Sequence, residues 1–172
     1  KADIDTNIPL ISIVGRPNVG KSTLFNRLIG KRRAITDPTP GVTRDPIPER
    51  WLLGNHPVTL VDTGGVKLDK EGLDYAVTEK SLSILAMSDV ILFLMDCMEV
   101  TSEDMMLIEE VRPYTDKVVL VVNKVDDPKR DDLIWNYFSY GYQRVVGISA
   151  AHGLGIEELE DTILGMLDME RT

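Results

Sequence analysis

The octet Gly15-Arg16-Pro17-Asn18-Val19-Gly20-Lys21-Ser22 has the spacing G-x-x-x-x-G-K-[ST], and the chemistry such spacing supports is the binding of a polyphosphate. A polyphosphate packs several negative charges into a small volume and needs many donors around it. Glycines let the backbone approach closely with its N–H groups turned inward, and a helix that starts there adds partial positive charge. Lys21 is expected to reach the outer phosphates and the Ser22 hydroxyl to ligate Mg²⁺, with the backbone from Gly15 to Thr23 lining the phosphates. A plain Gly/Pro turn between a strand and a helix uses similar residues. Context favours the phosphate loop, because the apolar run Ile8 to Val14 precedes the octet and the helix-like Thr23 to Ile29 follows it.

Three more segments can complete such a site. Asp62-Thr63-Gly64-Gly65 closes the apolar run Val58 to Val61 and sets a carboxylate at a strand end, where open α/β sheets bind ligands. Asp62 is expected in the Mg²⁺ shell through water and the Gly65 N–H near a γ-phosphate. In isolation the pattern D-x-x-G is common, so its weight comes from its place after the phosphate loop. Asn123-Lys124-Val125-Asp126 ends the run Val118 to Val122. The Asp126 carboxylate suits guanine, since it accepts from the ring N1–H and the exocyclic amine together, a donor pair that adenine lacks. An Asn/Asp turn after a strand is the plainer reading of this tetrapeptide taken alone. Ser149-Ala150-Ala151 follows the last strand, and its small residues allow backbone N–H groups to reach the guanine O6.

Thr43 lies in the breaker-rich stretch from Asp37 to Pro48, which cannot be a regular helix or a central strand. Its hydroxyl is expected on Mg²⁺ and its N–H on the γ-phosphate, so that hydrolysis would release the loop. Thr36 and Thr39 are rivals that spacing does not exclude. Arg44 reads as a solvent or partner contact ahead of an internal arginine finger.

Positioning these segments requires a sheet. Apolar β-rich runs recur at Leu10 to Val14, Trp51 to Leu53, Val58 to Val61, Val90 to Met95, Val118 to Val122 and Val145 to Ile148, with helical patterns between most of them. Continuous runs suit parallel strands buried on both faces. Gly54-Asn55-His56-Pro57 reads as a hairpin turn, which makes one edge strand antiparallel. The expectation is an α/β fold with a six-stranded, mostly parallel sheet, one antiparallel edge strand and helices on both faces. In the last helix Ile156, Leu159, Ile163 and Leu167 face inward while Glu157, Glu158, Glu160 and Asp161 face water. Met105, Met106, Leu107 and Ile108 read as core on the helix that opens after Ser102.

Composition sets the bounds. With 172 residues and 43% hydrophobic content, one domain over 1–172 is expected. The longest apolar run is too short to span a bilayer and no leader precedes Ile8, so a soluble protein with no membrane partner is expected. The lone Cys97 permits no internal disulfide and reads as a small buried side chain at a strand end, in keeping with a reducing cytosol. The net charge of −9 opposes a broad grip on nucleic acid. His56 and His152 read as loop residues, not catalysts. A chain that begins at Lys1 reads as an excised piece.

The segments Gly15 to Leu28, Thr39-Pro40-Gly41-Val42-Thr43-Arg44-Asp45 and Asp62 to Gly65 together resemble the first GTPase domain of the Der (EngA) family of double GTPases, among the translation-factor-related P-loop GTPases. The likeness extends over nearly the full chain. Asn123-Lys-Val-Asp126 matches that first domain, since the second typically has Trp at the third place. Gly64 separates the chain from Era-like sequences, which usually have Pro there. Pro46-Ile47-Pro48 departs from the family pattern.

The resemblance implies GTP/GDP and Mg²⁺ as cofactors and a GTP-hydrolysing switch that acts in large ribosomal subunit assembly. It further implies contact with that subunit or its rRNA through a longer protein, with a second GTPase domain and a KH-like domain in cis, and a cytoplasmic location. Val66 stands where Ras-like enzymes place a water-orienting glutamine, so the resemblance assigns catalysis to Lys21, Thr43, the Gly65 amide and a further positive charge. Related GTPases ligate K⁺ through an asparagine at the place of Asn18, which implies a slow intrinsic rate stimulated by K⁺. Alternatives are a regulatory nucleotide-binding module with incidental hydrolysis and an Era-like or tRNA-modification-type GTPase domain. An ATPase or small-molecule kinase is opposed by Asn123 to Asp126.

Overall fold

The computed structural model describes residues 7–30, 47–63, 66–69, 72–75 and 79–171. Thr43 and Gly65, along with Thr36, Thr39 and Arg44, lie outside the described residues.

The apolar runs become strands because each can be buried from both sides. β1 (Leu10–Gly15), β3 (His56–Asp62), β6 (Val90–Asp96), β7 (Val118–Asn123) and β8 (Val145–Gly147) pair in parallel. β2 (Ile47–Leu53) is antiparallel to β3 and takes one edge of the sheet, whose order is β2-β3-β1-β6-β7-β8. An edge position tolerates Pro48, which has no N–H to give to a ladder. The β2–β3 turn is tighter than the sequence suggests: Gly54 and Asn55 both take positive φ, at 55° and 72°, and His56 already belongs to β3.

Period-two alternation divides each central run between two cores. Ile11, Ile13, Leu92, Leu94, Val119 and Val121 pack with Leu24, Phe25 and Leu28 of α1 (Lys21–Ile29) and with Leu159 and Ile163 of α5 (Ile156–Met166). Val14, Ile91, Phe93, Leu120 and Val122 face the other way. They meet Leu85 of α2 (Glu79–Met87), Leu107, Ile108 and Val111 of α3 (Ser102–Val111), and Tyr137 in the 3₁₀ segment Trp135–Tyr140 that continues α4 (Asp131–Ile134).

Two expectations need correction. Met105 and Met106 are not core: they are 47% and 52% exposed, because the buried stripe of α3 runs through Asp104, Leu107, Ile108 and Val111 at helical steps and leaves both methionines off it. The second concerns β4 (Val66–Asp69) and β5 (Gly72–Tyr75), a two-stranded antiparallel hairpin where no strands were expected.

β1 has β3 on one side and β6 on the other, so the order of the sheet reverses at β1. In open α/β sheets such a reversal, beyond the carboxyl ends of the strands, is where ligands bind. Gly15, Asp62, Asp96 and Asn123 each end a strand at that edge.

Candidate functional site

The loop from Arg16 to Gly20 leaves β1 at this reversal and runs into the N-terminus of α1. Asn18 and Gly20 take positive φ, 67° and 106°, so successive amides fold into a concave turn at a helix N-terminus, a shape and polarity that receive anions. Gly20 allows a second close approach: a Cβ on it would stand 2.2 Å from Asn123 Nδ2. Lys21 and Ser22 occupy the first turn of α1, with Lys21 buried at 7% exposure.

Arg16 differs from its neighbours in where its side chain goes. Its Nε donates to Asp104 Oδ2 at 3.0 Å, and its Nη2 lies 3.4 Å from Glu99 and 3.9 Å from Asp96. Asp104 is also the reciprocal partner of Thr101 in the capping box of α3. The guanidinium therefore anchors the loop to α3, and Arg16 can serve a phosphate through its backbone. Asp104 Oδ1 is the one buried side-chain nitrogen or oxygen among the described residues that has no hydrogen-bond partner.

Asp96 receives a second cation, Lys124 Nζ at 2.9 Å, and Lys124 also reaches the Asn18 carbonyl at 3.5 Å. Burial pushes the Asp96 carboxyl up, but the Met98 amide, Lys124 and Arg16 outweigh it and hold the group below the usual carboxylate range. A lowered folded value means that its contribution to stability is present above the unfolded carboxylate pKa and is lost as pH falls through the folded one. Asp96→Asn is expected to flatten the acid limb of a stability-against-pH curve below about pH 4, as measured by urea unfolding at stepped pH.

Asn123 joins the phosphate loop to the segments that would hold a base. Its Nδ2 donates to the Val19 carbonyl at 2.8 Å and its Oδ1 accepts from the Ala150 N–H at 3.0 Å, with the residue 4% exposed. Asp126 accepts from the Ser149 hydroxyl at 2.8 Å and faces Arg130 Nη1 at 3.5 Å, while 39% of its side chain stays open to solvent. Arg130 also donates to the Lys124 carbonyl at 2.7 Å. On the far side, Arg27 of α1 donates to the carbonyls of Ala150 and Ala151. Cys97 is buried, as expected, and gives its thiol to the Lys124 carbonyl.

The structure thus gathers Gly15 to Thr23, Asp62, Asn123, Lys124, Asp126 and Ser149 to Ala151 along one edge of the sheet. Arg27, Arg130 and the carboxylates around Arg16 are additional members of this edge that local spacing does not mark. Arg27 and Ala150 are 123 positions apart in sequence, a separation that only the fold brings together.

The donor chemistry of Ser22 and Asp62 suits Mg²⁺. Asp62, 1% exposed, and the Ser22 hydroxyl are the hard oxygen donors that Mg²⁺ takes. Among the described residues no group of three or more His, Cys, Asp or Glu could hold a metal by itself, so Mg²⁺ here would share its shell with phosphate oxygens and water. No helix among the described residues is long and apolar enough to cross a membrane.

A glycine-containing turn that leads from β1 into the N-terminus of α1 at the sheet reversal, on a mostly parallel six-stranded sheet, is the architecture of a P-loop nucleotide-binding domain. The chain matches the 50S ribosome-binding GTPase family over residues 10–124 and belongs to that family. It is 43% identical over 151 residues to GTPase Der of Borreliella afzelii and 41% identical over 162 residues to GTPase Der of Symbiobacterium thermophilum. These alignments cover 88% and 92% of this chain but 35% and 34% of the relatives, so the chain spans about a third of their length. An Era variant from Aquifex aeolicus bound to GDP·AlF4⁻ superposes with a TM-score of 0.79 at 30% identity, over 92% of this chain and 56% of that one. The G domain of the T. maritima FeoB iron transporter, with a TM-score of 0.69 at 23% identity over 93% of this chain and 99% of that one, shares the fold.

Proposed function

We propose that this chain binds GTP and GDP with Mg²⁺ and hydrolyses GTP slowly, as the first GTPase domain of a longer protein that works on the large ribosomal subunit. The observation that carries the reading is the Asn123 side chain, which bonds the phosphate loop at Val19 and the Ser149–Ala151 segment at Ala150 at the same time. A polyphosphate site and a guanine site so joined accept one guanosine nucleotide.

In this reading the amides from Gly15 to Thr23 and the Lys21 ammonium neutralise the phosphates, and Asp126 reads the guanine N1–H and amine. Ser22, Thr43 and, through water, Asp62 hold Mg²⁺, which supplies charge neutralisation of the β- and γ-phosphates when bound. The Gly65 amide meets the γ-phosphate. Thr43 and Gly65 would change partners on hydrolysis and make the switch. The similarity to Der, and to an Era solved with MgGDPNP and nucleotides 1506–1542 of 16S ribosomal RNA, supports a ribosomal RNA target reached through the longer protein. A second GTPase domain and a KH-like domain would complete that protein, which we place in the cytoplasm. The net charge of −9 is consistent with those partners, not this domain, carrying most of the RNA contact.

The apolar side chain of Val66 has no group to hydrogen-bond an attacking water as a glutamine would, so in this reading a further cation near the phosphates assists. The exposed Asn18, held in its positive-φ turn, is the residue we assign to K⁺. Single-turnover assays with GTP and ATP, each in K⁺ and in Na⁺ at matched ionic strength, test the whole reading. GTP should be cleaved in preference to ATP, and faster in K⁺ by ten-fold or more, with the K⁺ effect lost in Asn18→Ala. Equal cleavage of both nucleotides would refute the guanine assignment, and equal rates in both salts would refute the K⁺ role.

A further inference from the structure

We propose that Arg27 is a positioning residue for guanine recognition: by holding two successive carbonyls it aims the Ala151 amide at the guanine O6. The inference rests on the guanine-nucleotide reading above and adds a residue to it.

Arg27 sits in the last turn of α1, and its guanidinium donates from Nε to the Ala150 carbonyl at 3.0 Å and from Nη2 to the Ala151 carbonyl at 2.9 Å. Two charge-assisted bonds from one planar group fix the orientation of two peptide planes, which a single-point cation cannot do. Every peptide bond described is trans, and in a trans peptide the C=O of one residue and the N–H of the next point in opposite directions. Turning the Ala150 carbonyl onto Arg27 therefore turns the Ala151 N–H away from α1.

The other amides of the turn are committed. Ser149 N–H bonds the Leu154 carbonyl, Ala150 N–H bonds Asn123 Oδ1, and His152 N–H bonds the Ser149 hydroxyl. The Ala151 N–H alone among these has no acceptor within the described residues, and it lies in the turn whose Ser149 hydroxyl orients Asp126. With Asp126 on N1–H and the amine, the acceptor left on that edge of guanine is O6. A cation near the C-terminal end of a helix also has a purely structural use, stabilising the helix dipole. That use would affect all nucleotides alike, which separates the two roles.

The test is a calorimetric cycle on the chain with GDP, 6-thioguanosine diphosphate and inosine diphosphate. Sulfur at position 6 is a weak acceptor but leaves N1–H and the amine for Asp126, whereas inosine keeps O6 and loses the amine. Arg27→Ala is expected to weaken GDP and inosine diphosphate each about ten-fold and the 6-thio nucleotide less than about three-fold, the scale of one hydrogen bond. Arg27→Lys, which cannot fork, should give the same pattern with smaller losses and keeps the proposal testable if the alanine variant unfolds. Equal losses on all three nucleotides, or none, would overturn the positioning role and leave the guanine reading intact. A wild-type chain that takes up no GDP would overturn that reading itself.

Discussion

Asp126→Asn is expected to exchange a preference for guanine for one for xanthine. In the structure the carboxylate is oriented by the Ser149 hydroxyl at 2.8 Å, lies 3.5 Å from Arg130, and keeps 39% of its side chain exposed on the open side. That leaves it able to accept two hydrogen bonds from a base. An asparagine there keeps one acceptor and replaces the other with an NH₂ donor. Facing guanine, the new donor meets the exocyclic amine, two donors in contact without an acceptor. Xanthine carries a carbonyl at that position and restores the match. Sites built to hydrogen-bond a particular group discriminate by about 10⁴ when the pairing is broken, so affinity for GDP should fall by about 10³ or more while that for xanthosine diphosphate rises. Ser149 can donate to the amide oxygen as it does to the carboxylate, so thermal unfolding of the nucleotide-free protein should move little. Competition binding with the two diphosphates is the measurement. An unchanged ratio would mean that the base is read elsewhere.

The strands that carry the site were readable because of how they are buried. β1, β6 and β7 lie between helices on both faces, so nearly every position is apolar and the run stands out without any periodicity. The site residues follow as punctuation: Gly15, Asp62, Asp96 and Asn123 are the polar or small residues at which an apolar strand stops. What stayed hidden depends on contacts made across the fold. Met105 and Met106 are as apolar as Leu107 and Ile108, so residue type does not separate the four. The stripe Asp104, Leu107, Ile108 and Val111 includes a carboxylate whose burial depends on Arg16, far away in sequence. β4 and β5 carry the alternation Val66-Lys67-Leu68-Asp69 and Leu73-Asp74-Tyr75, a strand signal overshadowed by the glycines beside it. Arg16 is the sharpest case. The motif places it among phosphate ligands, yet its charge is drawn to Asp104 and Glu99, more than eighty positions away in sequence.

Asn123→Ala should cost more than any other single change at this edge that leaves the phosphate and base contacts themselves in place. The side chain is 4% exposed and satisfies two backbone groups in different segments, the Val19 carbonyl and the Ala150 N–H. Truncation removes both bonds and opens a polar gap, and losses of this kind amount to about 2–4 kcal/mol. Unfolding of the nucleotide-free protein by urea should report that loss. Nucleotide affinity should fall further than stability alone predicts, by about 10²-fold or more, since the phosphate loop and the Ser149–Ala151 turn would no longer be held in one register. Asn123→Asp separates the two functions. It keeps an acceptor for the Ala150 N–H but sets a carboxylate oxygen against the Val19 carbonyl, so the base side stays anchored while the phosphate loop is repelled. Guanosine and GDP then become diagnostic: the aspartate variant should lose most of the affinity difference between them, while its binding of guanosine changes little. If both ligands weaken by the same factor, Asn123 braces the edge as a whole and the two halves are not coupled through it.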